Sequence, residues 1–278
     1  MKNIIAIVFD FDETLAKDST TSLLESIGID TNVFWKKEVQ DLLNLGWDPV
    51  PAYLFKMIEY SRDGHKITLD LFRKHAKNIK FFKGVTNLFG TLKKHVQYKN
   101  DIELEFYVIS SGIGEILRNT RISKHFTDIW ACDFHYNENN EITFPKNIVS
   151  FTDKTRYLFH ISKGLVGEKY KNKPFDVNKK FEKNEFRVPS NHIIFIGDGY
   201  TDIPCFSLVK KMEGIPIAVY DNQNENKWGT AWDFLEQDRV INLVPADYSR
   251  NSALMNSLKM AIDSIIKKIE LSEKVYQG

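Results

Sequence analysis

Residues 4–15 read Ile-Ile-Ala-Ile-Val-Phe-Asp-Phe-Asp-Glu-Thr-Leu, an apolar run that ends abruptly in acidic residues. The apolar part, residues 4–9, is rich in β-branched side chains, which predicts a strand buried on both faces of a parallel sheet. Asp10 and Asp12 follow directly, so we expect both carboxylates at the mouth of that sheet. Burying two carboxylates close together is costly unless a cation or a proton lies between them.

Three further apolar runs predict strands of the same sheet, at residues 106–109, 193–196 and 215–219. Two of these strands also end in small or acidic residues, namely Ser110-Ser111-Gly112 and Gly197-Asp198-Gly199. Ligands of open α/β sheets bind beyond the carboxyl ends of the strands. We therefore expect the three turns to meet in one crevice.

A long insertion separates the first two predicted strands, because one crossover needs only a helix and a short connection. Apolar residues recur at helical spacing within this insertion. We therefore assign residues 16–81 to a small helical cap domain. Residues 1–15 and 82–278 are assigned to an α/β core with a Rossmann-like parallel sheet. The alternative is that the inserted helices simply pack on the main domain.

The composition excludes several classes of protein. Hydrophobic residues make up 42% of the chain and charged residues 27%, values typical of a soluble globular protein. The net charge of +1 provides no overall field that would attract nucleic acid or an anionic membrane. Two cysteines are too few for a disulfide framework, and the first apolar run is too short for a membrane span or signal peptide. We expect a cytoplasmic monomer or homodimer without nucleic-acid or membrane partners.

The carboxylates at the predicted strand ends indicate a metal site. Asp10 and Asp12 follow one strand, and Asp198 follows another. Mg²⁺ prefers oxygen ligands, uses few protein carboxylates and is suited to phosphate chemistry. The sequence therefore predicts Mg²⁺ as the cofactor.

Four short motifs resemble, in their required order, those of the haloacid dehalogenase superfamily, and specifically of its phosphatase branch. In chain order the matching residues are Asp10-Phe11-Asp12-Glu13-Thr14, Ser110, Lys154 and Gly197-Asp198-Gly199-Tyr200-Thr201-Asp202. Three of the motifs follow predicted strands, and Lys154 begins a predicted helix. Lys163, near the end of that helix, is the alternative to Lys154.

Two other segments extend the resemblance over the whole core. Residues 82–85 resemble the family's return from a helical cap of the C1 type, and residues 131–144 resemble a hairpin of phosphoserine-phosphatase-like members. Phosphoserine phosphatases typically follow the serine of the second motif with two glycines, whereas Ser110 is followed by Ser111 and Gly112. Phosphoserine is therefore only one candidate substrate.

The resemblance implies a role for each matched residue. Asp10 would be the nucleophile that forms an aspartyl-phosphate, and Asp12 would be the general acid and base. The carboxylates of Asp10 and Asp198, with the backbone carbonyl of Asp12, would hold Mg²⁺.

The resemblance also implies which groups bind the phosphoryl oxygens. These are Ser110, Lys154 and the backbone N–H groups around Phe11 and Ser111, because donors and positive charge aimed at those oxygens lower the barrier. The supporting residues are Thr14, which would fix the Asp10 loop, Gly199, and Asp202, which would orient Lys154 or a metal-bound water.

The predicted function is therefore Mg²⁺-dependent hydrolysis of a small phosphorylated metabolite. Asp12 argues against carbon–halogen cleavage, because the resemblance implies that true dehalogenases lack an acid/base aspartate at this position. Two alternatives remain: a phosphatase acting on protein or nucleic-acid phosphates, and a noncatalytic protein of the same fold that binds a phosphorylated ligand. Aromatic residues of the cap are candidates for contact with the leaving group, although such residues more often form a core. They are Trp35, Trp47, Tyr53 and Tyr60.

Overall fold

The computed structural model describes residues 3–223 and 233–275, and within these ranges it contains a seven-stranded sheet. The strands are β1 (Asn3–Phe9), β2 (Ile102–Ile113), β3 (Asp128–Tyr136), β4 (Ile142–Asn147), β5 (Ile193–Gly197), β6 (Ile215–Tyr220) and β7 (Asn242–Pro245). Their spatial order is β4-β3-β2-β1-β5-β6-β7. Neighbouring strands are parallel except for the antiparallel pair β3 and β4. The predicted α/β fold with a Rossmann-like parallel sheet is confirmed.

Helices connect and cover these strands. They are α1 (Ser19–Ser26), α2 (Thr31–Val33), α3 (Gln40–Asn44), α4 (Pro49–Tyr60), α5 (Leu69–Ala76), α6 (Val85–His95), α7 (Gly114–Arg118), α8 (Asp153–Lys163), α9 (Ile203–Lys211) and α10 (Ala253–Val275). Two π-helical turns, Phe34–Val39 and Ser61–His65, join helices of the insertion. Across the described ranges, none of the helices has the length and apolar character that a membrane span requires.

The first strand lies at the centre of the sheet. β1 pairs with β2 on one side and with β5 on the other, and its residues 5–9 have no exposed surface. A strand covered on both faces can carry a continuous apolar sequence, which explains why residues 4–9 show no alternation of polar and apolar side chains. The residues that follow β1 therefore emerge in the middle of the sheet edge.

The second strand differs from its prediction. β2 continues to Ile113, so Ser110, Ser111 and Gly112 lie within the strand and do not form the predicted turn. The pairing of β2 with β3 shifts register between Ile109 and Ile113. An irregularity of this kind re-aims side chains at the end of a strand without ending the pairing.

The inserted helices α1–α5 lie between β1 and β2 in the chain and contact the hairpin formed by β3 and β4. The Leu69 N–H donates to the Asn140 carbonyl at 2.9 Å, and the Ile142 N–H donates to the Ile67 carbonyl at 3.0 Å. Ala16 and Phe81 form an isolated β-bridge, so the insertion begins and ends at one place.

The division into a cap at residues 16–81 and a core at 1–15 and 82–278 stays a prediction. Residues 1–2, 224–232 and 276–278 of that predicted core lie outside the described residues.

Candidate active site

The carboxyl ends of β1 and β5 bring three carboxylates together. Asp10, Asp198 and Asp202 each offer one oxygen atom, and these three oxygens lie within 4.8 Å of one another. Phe9 pairs with Ile196 near the ends of the two strands, so the residues that follow emerge side by side. The turns after these strands therefore lie side by side at one edge of the sheet, the place where open α/β sheets have their ligand crevice.

The Asp10 side chain is held from two directions. Its Oδ1 accepts a hydrogen bond from the Phe11 N–H at 2.7 Å, and its Oδ2 lies 3.1 Å from the Lys154 Nζ. The Asp10 N–H donates to the Ile196 carbonyl at 2.8 Å, which ties this residue to β5. Phe11 N–H, a predicted phosphate donor, is thus directed at Asp10 in this structure.

Lys154 lies in the first turn of α8 and is fully buried in the crevice. Its Nζ donates to Asp202 Oδ1 at 2.7 Å and to Thr201 Oγ1 at 3.0 Å. Burial by itself would lower the pKa of Lys154, but the charges of Asp10 and Asp202 outweigh it and hold this pKa above its ordinary value. Lys163, the alternative from sequence, donates instead to the Val177 carbonyl at 2.6 Å.

Asp202 connects the lysine to the turn after β5. Its Oδ2 accepts hydrogen bonds from the N–H groups of Asp198, at 3.1 Å, and Gly199, at 3.2 Å. Burial raises the pKa of Asp202, and the adjacent Lys154 opposes this shift. A Cβ atom on Gly197 would lie 2.4 Å from Asp202 Oδ2, so a side chain at that position would displace the carboxylate. The turn thus depends on glycine for a close approach.

Asp12 contacts the inserted helices and is not one of the three carboxylates whose oxygens lie within 4.8 Å of one another. Its Oδ1 accepts a hydrogen bond from the N–H of Ser19, the first residue of α1, at 2.7 Å. Burial raises the pKa of Asp12 well above its ordinary value, and the charge of Asp18 adds to the effect. A carboxyl with a raised pKa is better suited to donate a proton as a general acid. The predicted metal contact of Asp12 through its backbone carbonyl stays a prediction.

The end of β2 lies against Asp12. A Cβ atom on Gly112 would be 2.4 Å from Asp12 Oδ2, so this glycine permits the close approach. Ser110 is buried, and its Oγ accepts the Gly112 N–H at 3.0 Å. The Ser111 Oγ is also buried and has no hydrogen-bond partner among the described residues. The residues of the second motif therefore lie beside Asp12, and the Ser111 hydroxyl has no hydrogen-bond partner among the described residues.

Thr14 links the first loop to the rest of the site. Its Oγ1 donates to Asp198 Oδ1 at 3.4 Å, and its carbonyl accepts a hydrogen bond from the Tyr248 hydroxyl at 2.9 Å. Tyr248 is buried, and a Cβ atom on Gly84 would lie 2.3 Å from its backbone. Tyr248 was not predicted from the sequence, and Thr201 was predicted only as part of the fourth motif. A local sequence pattern does not identify which residue from a distant part of the chain will contact a given loop.

No known family model matches this sequence. An uncharacterized protein of Borreliella burgdorferi is 29% identical to it over 287 residues, covering 92% of this chain and 95% of that protein. This similarity extends over nearly the whole chain, so it includes both the insertion and the sheet.

Solved structures share the fold at low sequence identity. A HAD-family hydrolase of Salmonella enterica serovar Typhi superposes with a TM-score of 0.61 at 13% identity, covering 94% of this chain and 72% of that chain. A phosphoserine phosphatase in the apo form superposes with a TM-score of 0.55 at 14% identity, covering 93% and 98%. A phospho-aspartyl intermediate analogue of phosphoserine phosphatase gives 0.54 at 16% identity, covering 93% and 99%.

Proposed function

We propose that this chain, which has the fold of the haloacid dehalogenase family hydrolases, is a Mg²⁺-dependent phosphatase acting on a small phosphorylated metabolite. The observation that carries the proposal is the grouping of Asp10, Asp198 and Asp202 around the buried Lys154. It lies at the carboxyl ends of the strands, where ligands of such sheets bind.

The donor set of the crevice fits a hard divalent cation. The site contains three carboxylates and one ammonium group, so it has an excess of negative charge in a largely buried environment. Buried charge of this kind needs compensation, and all three groups offer oxygen ligands, which Mg²⁺ prefers. Asp10 and Asp198, with the Asp12 carbonyl, would hold the ion. When bound, Mg²⁺ would supply positive charge that offsets the charge of the phosphoryl oxygens.

Asp10 is the nucleophile of the proposed reaction. Its carboxylate oxygen forms a bond to phosphorus while the ester bond between phosphorus and the leaving alcohol breaks. Asp12 donates its proton to the departing oxygen. In the second step Asp12 removes a proton from a water molecule that attacks the aspartyl-phosphate, and the bond from phosphorus to Asp10 breaks to release phosphate.

Lys154 and the end of β2 bind the phosphoryl oxygens. Lys154 is held in place by Asp202 and Thr201, so its ammonium group needs little reorganisation when charge develops. The Ser110 hydroxyl and the Ser111 N–H lie at the end of the neighbouring strand and act as neutral donors. These groups bind phosphate and stabilise the transition state.

The decisive experiment measures phosphate release from an aryl phosphate by the purified protein, with Mg²⁺ and then with a chelator. We expect turnover that requires the metal. A panel of phosphorylated amino acids, sugars, nucleotides and amines then identifies the leaving group, and phosphoserine belongs in it because a substrate-bound phosphoserine phosphatase is among the structural neighbours. Absence of turnover with Mg²⁺, while a phosphorylated ligand still binds, would assign the protein to the noncatalytic alternative.

A further inference from the structure

Tyr53 reaches from the inserted helix α4 to the end of β2. Its hydroxyl donates to the Ser111 carbonyl, and Cys132 Sγ of β3 lies 3.9 Å from the same oxygen. The side chain is buried. Burial raises the pKa of Tyr53, and Cys132, Asp12 and Asp18 add to the shift, so the hydroxyl keeps the proton that it donates.

The acceptor of this bond is the middle residue of the predicted phosphate-binding segment. Ser111 lies between Ser110, whose hydroxyl oxygen accepts the Gly112 N–H, and Gly112 itself. Gly112 leaves no room for a side chain beside Asp12. A displacement of Ser111 would therefore move the proposed phosphate-binding groups, the Ser110 hydroxyl and the Ser111 N–H. It would also change their position relative to Asp12, the proposed general acid.

Cys132, the other residue near the Tyr53 hydroxyl, connects through hydrogen bonds to the segment before Lys154. Cys132 Sγ accepts the Val149 N–H at 3.3 Å, and the next residue, Ser150, accepts the Lys154 N–H at 3.2 Å through its carbonyl. The Tyr53 hydroxyl therefore lies where the end of β2 meets the segment that leads into α8.

The other aromatic candidates from the sequence make different contacts. The Trp35 indole N–H donates to Thr21 Oγ1 at 2.8 Å, and the Trp47 ring packs on Phe55. Tyr60 interacts with Glu38. All of these partners belong to the insertion itself, whereas the Tyr53 hydroxyl contacts β2, through Ser111, and β3, through Cys132.

We propose that Tyr53 is a positioning residue, which couples the inserted helices to phosphate binding by holding the Ser111 carbonyl. This inference rests on the proposed function. Tyr53 contacts neither of the carboxylates assigned to Mg²⁺ in the described structure, so its effect is on phosphate and not on the metal.

The test compares Tyr53→Phe with Tyr60→Phe, the same change on the same helix. Loss of one buried hydrogen bond corresponds to about a tenfold effect. We expect Tyr53→Phe to weaken inhibition by orthophosphate about tenfold and to lower kcat/KM by a similar factor, while the Mg²⁺ concentration for half-maximal activity stays unchanged. Tyr60→Phe should resemble the wild type in all three values. Equal phosphate inhibition in the two variants, or a parallel loss of Mg²⁺ affinity in Tyr53→Phe, would overturn the proposal.

A measurement on the wild type keeps the proposal testable if Tyr53→Phe does not fold. Addition of orthophosphate with Mg²⁺ should slow amide hydrogen exchange at residues 110–114 and also in the part of α4 around Tyr53, but not at α3. If phosphate slowed exchange at residues 110–114 but not in α4, phosphate binding and the inserted helices would not be coupled. A wild type that neither releases phosphate from an ester nor binds orthophosphate would defeat the proposed function, and this inference with it. An active wild type whose Tyr53→Phe variant matches Tyr60→Phe would defeat the inference alone.

Discussion

Two clusters of charged side chains in this protein differ in their balance of charge. The strand cluster, formed by Glu105, Tyr107 and Arg187, contains one carboxylate and one guanidinium group. Arg187 donates two N–H groups to the Glu105 carboxylate, one of them at 2.6 Å, and the Tyr107 hydroxyl donates to the same carboxylate. Positive and negative charges are equal, and each group has its partner within the cluster. Such a cluster requires no ligand.

The crevice cluster, formed by Asp10, Lys154, Asp198 and Asp202, is not balanced. It contains three carboxylates and one ammonium group, at the edge of the sheet where the strands end. Both clusters shift pKa values, so perturbed titration alone does not separate a structural site from a functional one. The clusters do differ in their excess of one charge sign, which in the proposed function is offset by a bound cation.

Asp10→Asn should have the largest effect on activity and should not destabilise the protein. Removing the nucleophile should lower phosphate release by on the order of 10³-fold or more. Removing one of three crowded carboxylates relieves repulsion, so the free energy of unfolding should not fall. Glu105→Gln is the matched control in the strand cluster: it should be less stable than the wild type but retain activity. Substantial turnover by Asp10→Asn would disprove the nucleophile assignment.

Lys154→Met should have the largest effect on stability. It leaves buried carboxylates without their cation, a change that costs about 3–5 kcal/mol of unfolding free energy. Arg187→Met removes the cation of the strand cluster, but the Arg187 side chain is 36% exposed, so water can replace part of its contribution. Urea denaturation of both variants should therefore show the larger loss for Lys154→Met. If Arg187→Met proved the more destabilising, our account of the crevice charges would be wrong.

Mg²⁺ should stabilise the crevice and have no comparable effect on the strand cluster. A ligand that binds only the folded state at about 100 times its Kd adds about 2.7 kcal/mol to the free energy of unfolding. The thermal unfolding midpoint of the wild type should therefore rise with Mg²⁺ concentration, and Asp198→Asn should shift this response to higher concentrations. Glu105→Gln should keep the wild-type response. An unchanged midpoint in the wild type at high Mg²⁺ would contradict the proposed metal site.

The central sheet could be predicted because its strands are continuous apolar runs. Residues 4–9 and 193–196 lie within β1 and β5 as expected. β7 was not predicted because it has four residues, begins at Asn242 and is mostly only partly buried. The extension of β2 through Ser110-Ser111-Gly112 also escaped prediction, since small polar residues favour turns and the pairing with β3, which resumes at Ile113, depends on residues distant in the sequence.

The candidate site could be predicted in part for a related reason. Asp10 and Asp198 directly follow strands, so knowing that the strands are parallel is enough to bring their carboxylates to one edge. The hydroxyl groups of Tyr53 and Tyr248 donate hydrogen bonds to backbone carbonyls of residues 58 and 234 positions away in the sequence. These contacts depend on how the insertion and the segment after β7 pack, and a single sequence carries no local signal for that packing.

The smallest expected effect is a change in the pH dependence of stability, caused by a histidine close to the strand cluster. Tyr107 stacks on Trp130, which in turn lies against His160. Burial lowers the pKa of His160 below its ordinary value of 6.5, and Arg156 adds to this shift while the hydrogen bond with the Leu165 carbonyl opposes it. The unfolded chain therefore binds a proton at this position more readily than the folded protein does.

The contribution of His160 to the free energy of unfolding should therefore be fully present above pH 6.5 and decline as the pH falls below that value. The thermal unfolding midpoint should drop between about pH 7.5 and about pH 5.5, and the drop should be smaller in His160→Gln. It should not vanish, because burial also lowers the pKa of His192. Phosphate release by His160→Gln should match the wild type at about pH 7.5, since His160 is not part of the crevice cluster. A pH dependence identical in variant and wild type would mean that His160 titrates alike in the folded and unfolded states.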